Sequence, residues 1–335
     1  MSQKILPYKI PKMMLTYPYN AFYFGILEAN NIDCDDIILN DFLELYYFKK
    51  CKIHKIDFRN SGMFEFNRFK SIEFPETNNI VETIKDHIDN GYYAILMLNQ
   101  KYFQNEKVHT SWERNHDWLI YGYNDTTMSF YCSSYIGSKD KEVFGNIELS
   151  YLEIANALKH ALSNYIKPYP SYFRNHFIKI NTNWNEPKIT KEILYYKIRR
   201  MFLPKHSARD GYWHPVAGIY SLNKLLRKIK KVNIIKNKRK TIFIQNIRIL
   251  YEFRQNVLLC LKRMDIDQLT INQYEEIVTD TYKILLLSFK YNLTINRNTL
   301  NNIYKKLRQE NKTERNLLKQ ILKKYSPEKK GHYYG

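Results

Sequence analysis

The chain has 335 residues and is 44% hydrophobic and 15% aromatic, enough to bury sizeable cores, which excludes wholesale disorder. Its four cysteines lack paired metal-ligand spacing and are too few for a disulfide scaffold at this length. The N-terminal residues do not resemble a signal peptide, and no apolar run reaches the ~20 residues of a membrane span, so we expect a cytoplasmic protein without a membrane partner. The net charge of +20 comes entirely from the residues after 185, because the earlier residues carry slightly more acidic than basic side chains; this predicts two regions with different partners.

The first predicted element is a short buried helix over Thr16–Asn31, because Pro18 suits a first helical turn and the following apolar residues recur at helical spacing. Residues 33–75 are ambiguous: D-F-L-E-L-Y-Y-F favours a helix, and C-K-I-H-K-I-D-F alternates like a strand. A second helix is predicted from Asn78 or Asn79 to about Asp89, with Gly91 after its end.

Three neighbouring strands are predicted between Gly91 and Tyr135, where Ile-, Leu-, Tyr- and Phe-rich runs are separated by turn residues. The sequence Y-G-Y-N-D-T at 121–126 predicts a hairpin between the second and third strands. A helix capped by Ser150 and a return strand within 171–181 follow. Residues 1–183 are therefore predicted to form one α+β domain.

From Trp184 onward the apolar period becomes helical, and we predict an all-helical domain over 184–335. Helices are expected around Ile193–Phe202, after Ser221, over Thr241–Met264, over Asn272–Tyr291, and from starts near Asn298 and Thr313. The loop K-H-S-A-R-D-G-Y-W-H-P-V-A-G lies between the first two of these helices. It contains His206, Asp210 and His214, whose spacing matches no common metal motif.

The stretch N-H-D-W-L-I-Y-G-Y-N-D (Asn115–Asp125), preceded by an N-terminal helix, resembles the histidine strand of papain-like proteins. It is similar to bacteriocin-processing cysteine peptidases and, more closely, to the N-terminal domain family of butirosin biosynthesis protein H. Segments at Gly218–Ile229, Ile247–Leu261 and Tyr274–Tyr291 are similar to the helical segments that follow in that family. The resemblance implies a papain-like first domain and cofactor-free acyl or peptidyl transfer from a carrier protein in natural-product biosynthesis.

The sequence departs from that pattern at two of three catalytic positions. His116 matches the general base, but Tyr17 and Asn20 stand in the window where the nucleophilic cysteine is expected, and Ser133 stands where Asp or Asn usually follows. Tyrosine, with an ordinary pKa of about 10, does not replace a thiolate at neutral pH. The resemblance therefore implies a degenerate member that binds a carrier-tethered or peptide substrate, although an active form with His116 as base stays open.

Other residues carry further hypotheses. Cys132 is weighed as a relocated nucleophile against the commoner role of a small core residue, and Asp117 is predicted to be exposed because neighbouring strand residues point to opposite faces. Predicted substrate-binding aromatics are Tyr19, Tyr23, Trp112 and Trp118. A basic partner-binding stretch includes Lys224, Arg227, Lys228 and Lys231, where an acidic carrier protein is the first expectation and nucleic acid the alternative.

Overall fold

The structure is a computed structural model. It describes residues 2–50, 53–58, 68–137, 143–163, 175–202, 216–217, 240–294 and 296–326. Over these ranges the chain is α+β, with an antiparallel sheet in its N-terminal part and helices in its C-terminal part, which confirms the predicted fold class. No helix in the described ranges has both the length and the apolar character to cross a bilayer.

Regular elements account for most of the described chain. The strands are β1 (Gln3–Ile5), β2 (Leu45–Lys50), β3 (Ile53–Phe58), β4 (Phe69–Glu73), β5 (Tyr93–Asn99), β6 (Asn115–Asn124), β7 (Ser129–Ile136), β8 (Val143–Ser150), β9 (His176–Ile180) and β10 (Val216–Ala217). The helices are α1 (Pro18–Ala29), α2 (Asp35–Asp41), α3 (Ile80–Asp89), α4 (Tyr151–Ser163), α5 (Lys191–Arg200), α6 (Lys240–Arg263), α7 (Gln268–Thr294) and α8 (Arg297–Lys324).

The chain divides into two compact units. The first unit comprises Met1–Cys34 and Gly62–Asn185, and the second unit comprises Asp35–Ser61 and Glu186–Gly335. The predicted domains 1–183 and 184–335 need one correction, because residues 35–61 belong to the second unit. The physical reason is that this segment finds its partners there: the Asn256 amide donates to the Phe42 carbonyl at 2.9 Å, and the Ile56 N–H donates to the Asn246 side chain at 2.9 Å.

The first unit is built on a seven-stranded antiparallel sheet. The strand order is β4, β9, β5, β6, β7, β8, with β1 pairing with the end of β6. The three strands predicted between Gly91 and Tyr135 are β5, β6 and β7, and they are neighbours as the sequence indicates. The predicted hairpin between β6 and β7 is also present, with Asn124 paired with Ser129.

Side chains alternate between the two faces of this sheet. Phe144 of β8 contacts Phe22 of α1 with ring centroids 5.8 Å apart, so α1 covers one face, which we call the α1 face. Phe177 of β9 stacks on His87 of α3 at 3.7 Å, so α3 covers the opposite face, with α4 beside it. Residues of the α1 face can therefore meet the leading end of α1.

Helix α1 begins at Pro18, whose fixed φ suits a first turn and whose missing N–H costs no helical bond there. Its middle is approached closely by the chain at Tyr8 and Lys9, since a Cβ on Gly25 would lie below 3.0 Å from the Lys9 carbonyl oxygen and the Tyr8 ring. The residue after the α1 C-cap, Asn31, has a positive φ of 58°. The next helix of the first unit, α3, is followed by Gly91 at φ 80°.

The second unit contains a small antiparallel sheet, in the order β10, β2, β3, and helices α2, α5, α6, α7 and α8. Helices α6, α7 and α8 pack in sequence on one another. Two predictions are wrong here. The run L-Y-Y-F lies in strand β2, because pairing with β3 overrides its local helical pattern, and the two helices expected near Asn298 and Thr313 are one continuous helix, α8. The helix predicted after Ser221 lies outside the described residues.

Candidate functional site

The start of α1 lies against the sheet at β7. Helix α1 packs on both strands. The hydroxyl of Tyr135 in β7 donates a hydrogen bond to the carbonyl of Leu15, three residues before α1 begins. The Tyr135 ring also stands perpendicular to the His116 ring, with centroids 6.1 Å apart. Tyr135 therefore connects the start of α1 to the start of β6.

His116 has two polar neighbours at one nitrogen of its ring. Its Nδ1 lies 3.3 Å from both the Ser134 hydroxyl and the Asp117 carbonyl. Ser134 donates its single hydroxyl hydrogen to that same carbonyl at 2.7 Å. A hydrogen on Nδ1 satisfies both contacts. The Ser134 hydroxyl and the Asp117 carbonyl are thus the polar neighbours of this ring nitrogen.

Ser133 is not the partner of His116, which corrects its predicted role. Its side chain is buried and donates to the Gly145 carbonyl at 3.1 Å, and its oxygen lies 3.0 Å from the Tyr8 hydroxyl. Because Ser133 and Ser134 are consecutive in β7, they occupy opposite faces of the sheet. The polar residue that contacts the histidine is therefore the next one along the strand.

Asp117 is the acidic group that the sequence reasoning misplaced. Asp117 of β6 pairs with Met97 of β5. It lies two residues before Leu119, which pairs with Ser133 of β7. Because side chains two residues apart in a strand point to the same face, the Asp117 side chain belongs to the α1 face. The residue is half-buried rather than exposed. Desolvation raises the pKa of its carboxyl to about 6, and the carboxylate has no hydrogen bond or ion pair with another described residue.

A second polar cluster involves the first turns of α1. The Tyr23 hydroxyl donates to the Tyr19 hydroxyl at 3.0 Å and lies 3.3 Å from Nε2 of His176, at the start of β9. Tyr23 and His176 are buried, and Tyr19 is half-buried. His176 was not predicted; its sequence signal, a histidine that opens an apolar run, is the same one that drew attention to His116.

The remaining predicted positions divide between surface and core. Trp112 is 49% exposed and can contact a ligand. Trp118 is fully buried, with its ring 5.0 Å from that of Phe103, so its assignment to a substrate groove is wrong: it faces the core side of β6. Tyr17 is the residue immediately before α1, and Asn20 is buried in its first turn.

None of the cysteines in the described ranges can serve as a ready nucleophile. Cys34, Cys132 and Cys260 form no disulfide and are buried. Burial raises the pKa of the Cys132 and Cys260 thiols well above the ordinary value, which disfavours the thiolate. The Sγ of Cys132 contacts the Phe130 carbonyl at 3.6 Å within its own strand, so the relocated-nucleophile hypothesis for this residue is wrong.

The predicted metal and partner residues give no second site. Among the described residues there is no cluster of three or more His, Cys, Asp or Glu side chains that could hold a metal ion. The loop with His206, Asp210 and His214 lies outside the described residues. So does the predicted partner-binding stretch with Lys224, Arg227, Lys228 and Lys231, which stays a prediction.

A scan against protein-family models found no match for this chain. A search of the curated proteins found no match either.

Proposed function

We propose that the first unit binds an acyl or peptidyl group, presented on a carrier protein or as a peptide, at the leading end of α1. It does so without forming a covalent cysteine intermediate, as a degenerate member of the papain-like group that the histidine strand resembles. The observation that carries the proposal is the packing of α1 on β6 and β7 with Tyr17, Tyr19 and Asn20, rather than a thiol, at its start.

The surroundings of this position support recognition of a chain that is both polar and apolar. Tyr19 offers accessible aromatic surface, and tyrosine hydroxyls at this end of α1 are joined in hydrogen bonds. Aromatic side chains contribute large contact areas to binding sites at a small cost in conformational entropy. On this proposal the protein itself needs no cofactor.

An active form of the site has a defined chemistry. An amine attacks the thioester carbonyl directly, the new C–N bond forms as the C–S bond breaks, and the carrier thiol leaves. In that form His116 is the base that takes the proton of the attacking amine, as the resemblance implies. In the degenerate form His116 transfers no proton, and the site only binds the acyl or peptidyl group.

The test uses an octanoyl-pantetheine thioester and, separately, an octanoyl-loaded carrier protein. Binding to the full chain is followed by calorimetry, and release of free thiol with a primary amine is followed by a thiol-reactive dye. We expect Tyr19→Ala to weaken binding about tenfold, which corresponds to about 1.4 kcal/mol. Leu152→Ala, at an exposed position on α4, is the control and is expected to bind unchanged.

The two forms of the proposal separate cleanly in the same assay. Thiol release that His116→Ala abolishes, with binding kept, identifies the active form; binding without release identifies the degenerate form. Failure of both probes to bind, or an equal loss of affinity in Tyr19→Ala and Leu152→Ala, would contradict the proposal.

A further inference from the structure

Helix α8 places all of its acidic side chains on the inside of the second unit. Its two carboxylates, Glu310 and Glu314, both bind Arg254 of α6, at 2.6 Å and 2.8 Å. Arg254 and Glu314 are almost completely buried, and Glu310 is 9% exposed. The negative charge of the helix is therefore used internally, and none of it reaches the outer surface of α8.

The outer surface of α8 carries a regular row of cations, which we call the α8 stripe. Its members recur every three or four residues, so they share one face of the helix. From first to last they span about 27 Å at 1.5 Å per residue. Five are exposed and Arg315 is half-buried. The stripe consists of Lys305, Arg308, Lys312, Arg315, Lys319 and Lys323.

The α8 stripe is not neutralised within the described part of the chain, where none of its six cations takes part in an ion pair. The neighbouring helix α7 shows the ordinary pattern of a solvated face. There Lys283 pairs with Asp280 at 2.8 Å, and Glu275 pairs with Lys262 of α6 at 2.7 Å. A surface with interspersed charges of both signs is enough to keep a protein soluble. A row of charges of one sign instead produces a strong local electrostatic field.

The chemistry of the exposed face of α8 favours a phosphate-rich polymer over a protein as the binding partner. Protein interfaces usually have apolar or aromatic anchors at their centre. No large hydrophobic side chain of α8 is exposed, and the other exposed residues are amides, one threonine and further lysine and arginine side chains. Lysine and arginine with Asn, Gln and Thr beside them are the groups that contact the phosphates and sugars of nucleic acids.

We propose that the α8 stripe is a binding surface for the phosphate backbone of nucleic acid, without sequence selectivity. Its cations recur about every 5 Å along the helix axis, close enough for several to contact phosphates of one duplex at the same time. With six cations, the dependence of log affinity on log salt concentration has a slope of at most about −5.

The experiment measures binding of a fluorescent 20-base-pair DNA duplex of arbitrary sequence to the full chain, by anisotropy, across a potassium chloride series. The test variant combines Lys305→Gln, Arg308→Gln, Lys312→Gln and Lys319→Gln. The control variant removes the same charge at exposed lysines elsewhere, with Lys70→Gln, Lys159→Gln, Lys283→Gln and Lys290→Gln. Circular dichroism checks that both variants are folded.

We expect the test variant to lose at least about 100-fold in affinity at 0.1 M salt and to show a salt slope shallower by about 3 to 4. The control is expected to lose only a few-fold, because it changes net charge without removing phosphate contacts. Equal losses in the two variants, or binding by the test variant at the level of the unmodified chain, would overturn the proposal. So would stronger binding to polyglutamate than to the duplex, which would identify an acidic protein as the partner.

Discussion

The proton affinity of Asp117 follows from its place in one strand. The aspartate sits on the α1 face of β6, where Met97 is its cross-strand neighbour and no described cation lies within ion-pair distance of it. Desolvation without a compensating charge favours the neutral acid. A side chain with a pKa near 6 can change its protonation state close to physiological pH, which makes Asp117 as strong a candidate for acid–base work as His116.

The stability of the first unit is expected to depend on Asp117 with a definite sign. Because its folded-state pKa is raised, the folded protein holds this proton more tightly than the unfolded chain, and stability falls as pH rises from about 4 to about 6. Asp117→Asn removes that loss. We expect the variant to be more stable than the unmodified chain at pH 7, by at most about 3 kcal/mol, and equally stable below pH 4. Urea unfolding at both pH values measures this.

Asp86→Asn is the matched control, since Asp86 lies on the exposed side of α3. Its stability is measured by the same urea unfolding at both pH values. A pH-independent effect of Asp117→Asn, equal to that of the control, would refute the assigned desolvation of Asp117.

At the scale of elements, buried polar groups select how helices pair. Arg254 of α6 is fully buried and donates to Glu310 and Glu314 of α8 and to the Thr281 hydroxyl of α7. Tyr274 of α7 donates to Glu314 at 2.5 Å. One network therefore joins all three long helices, and a shifted register would leave several charged groups unpaired in the core.

Removing one member of this network should be costly. Glu314→Ala leaves the Arg254 guanidinium with fewer partners in a buried position, and we expect a loss of about 3 to 5 kcal/mol in unfolding free energy. Glu276→Ala, at an exposed site on α7, should change stability by less than about 0.5 kcal/mol. Denaturant unfolding followed by far-ultraviolet circular dichroism measures both. A loss for Glu314→Ala no larger than the control would show that the network contributes nothing.

A single added methyl group should also destabilise the contact between α1 and the N-terminal segment. In Gly25→Ala the new Cβ would clash with the Lys9 carbonyl and the Tyr8 ring, so we expect a loss of about 1 to 3 kcal/mol. Gly145→Ala meets only the flexible end of Ile136 at 3.3 Å and is the milder comparison. Amide exchange at Leu6, which donates to the Tyr121 carbonyl, should accelerate in Gly25→Ala alone.

At the scale of the whole molecule, the chain leaves its first unit at residue 35 and returns to it at residue 62. The excursion contributes α2, β2 and β3 to the second unit. A segment that supplies strands and buried residues such as Phe42 to a core is part of what makes that core stable.

This topology makes a prediction about fragments. Residues 186–335 expressed alone should lack a cooperative unfolding transition, because they lose the partners provided by 35–61. Fusing 35–61 to their N-terminus through a Gly/Ser linker should restore the transition, measured by thermal circular dichroism. A first unit in which the linker replaces 35–61 should fold by itself. Cooperative folding of residues 186–335 alone would contradict the assignment of residues 35–61 to the second unit.

The amino-acid sequence by itself determined the local features of this protein. Helical periodicity and turn residues placed α1, α3, α4, α6 and α7 and the strands β5, β6 and β7, because these patterns depend on neighbouring residues only. The histidine that opens β6 was likewise visible, since its signal is local. Tertiary structure decided the rest. Strand register put Asp117 on the α1 face and Ser134 beside His116. Pairing with β3 made L-Y-Y-F a strand, and packing placed residues 35–61 in the second unit. Each depends on residues far apart in the chain, whose contacts no local pattern encodes.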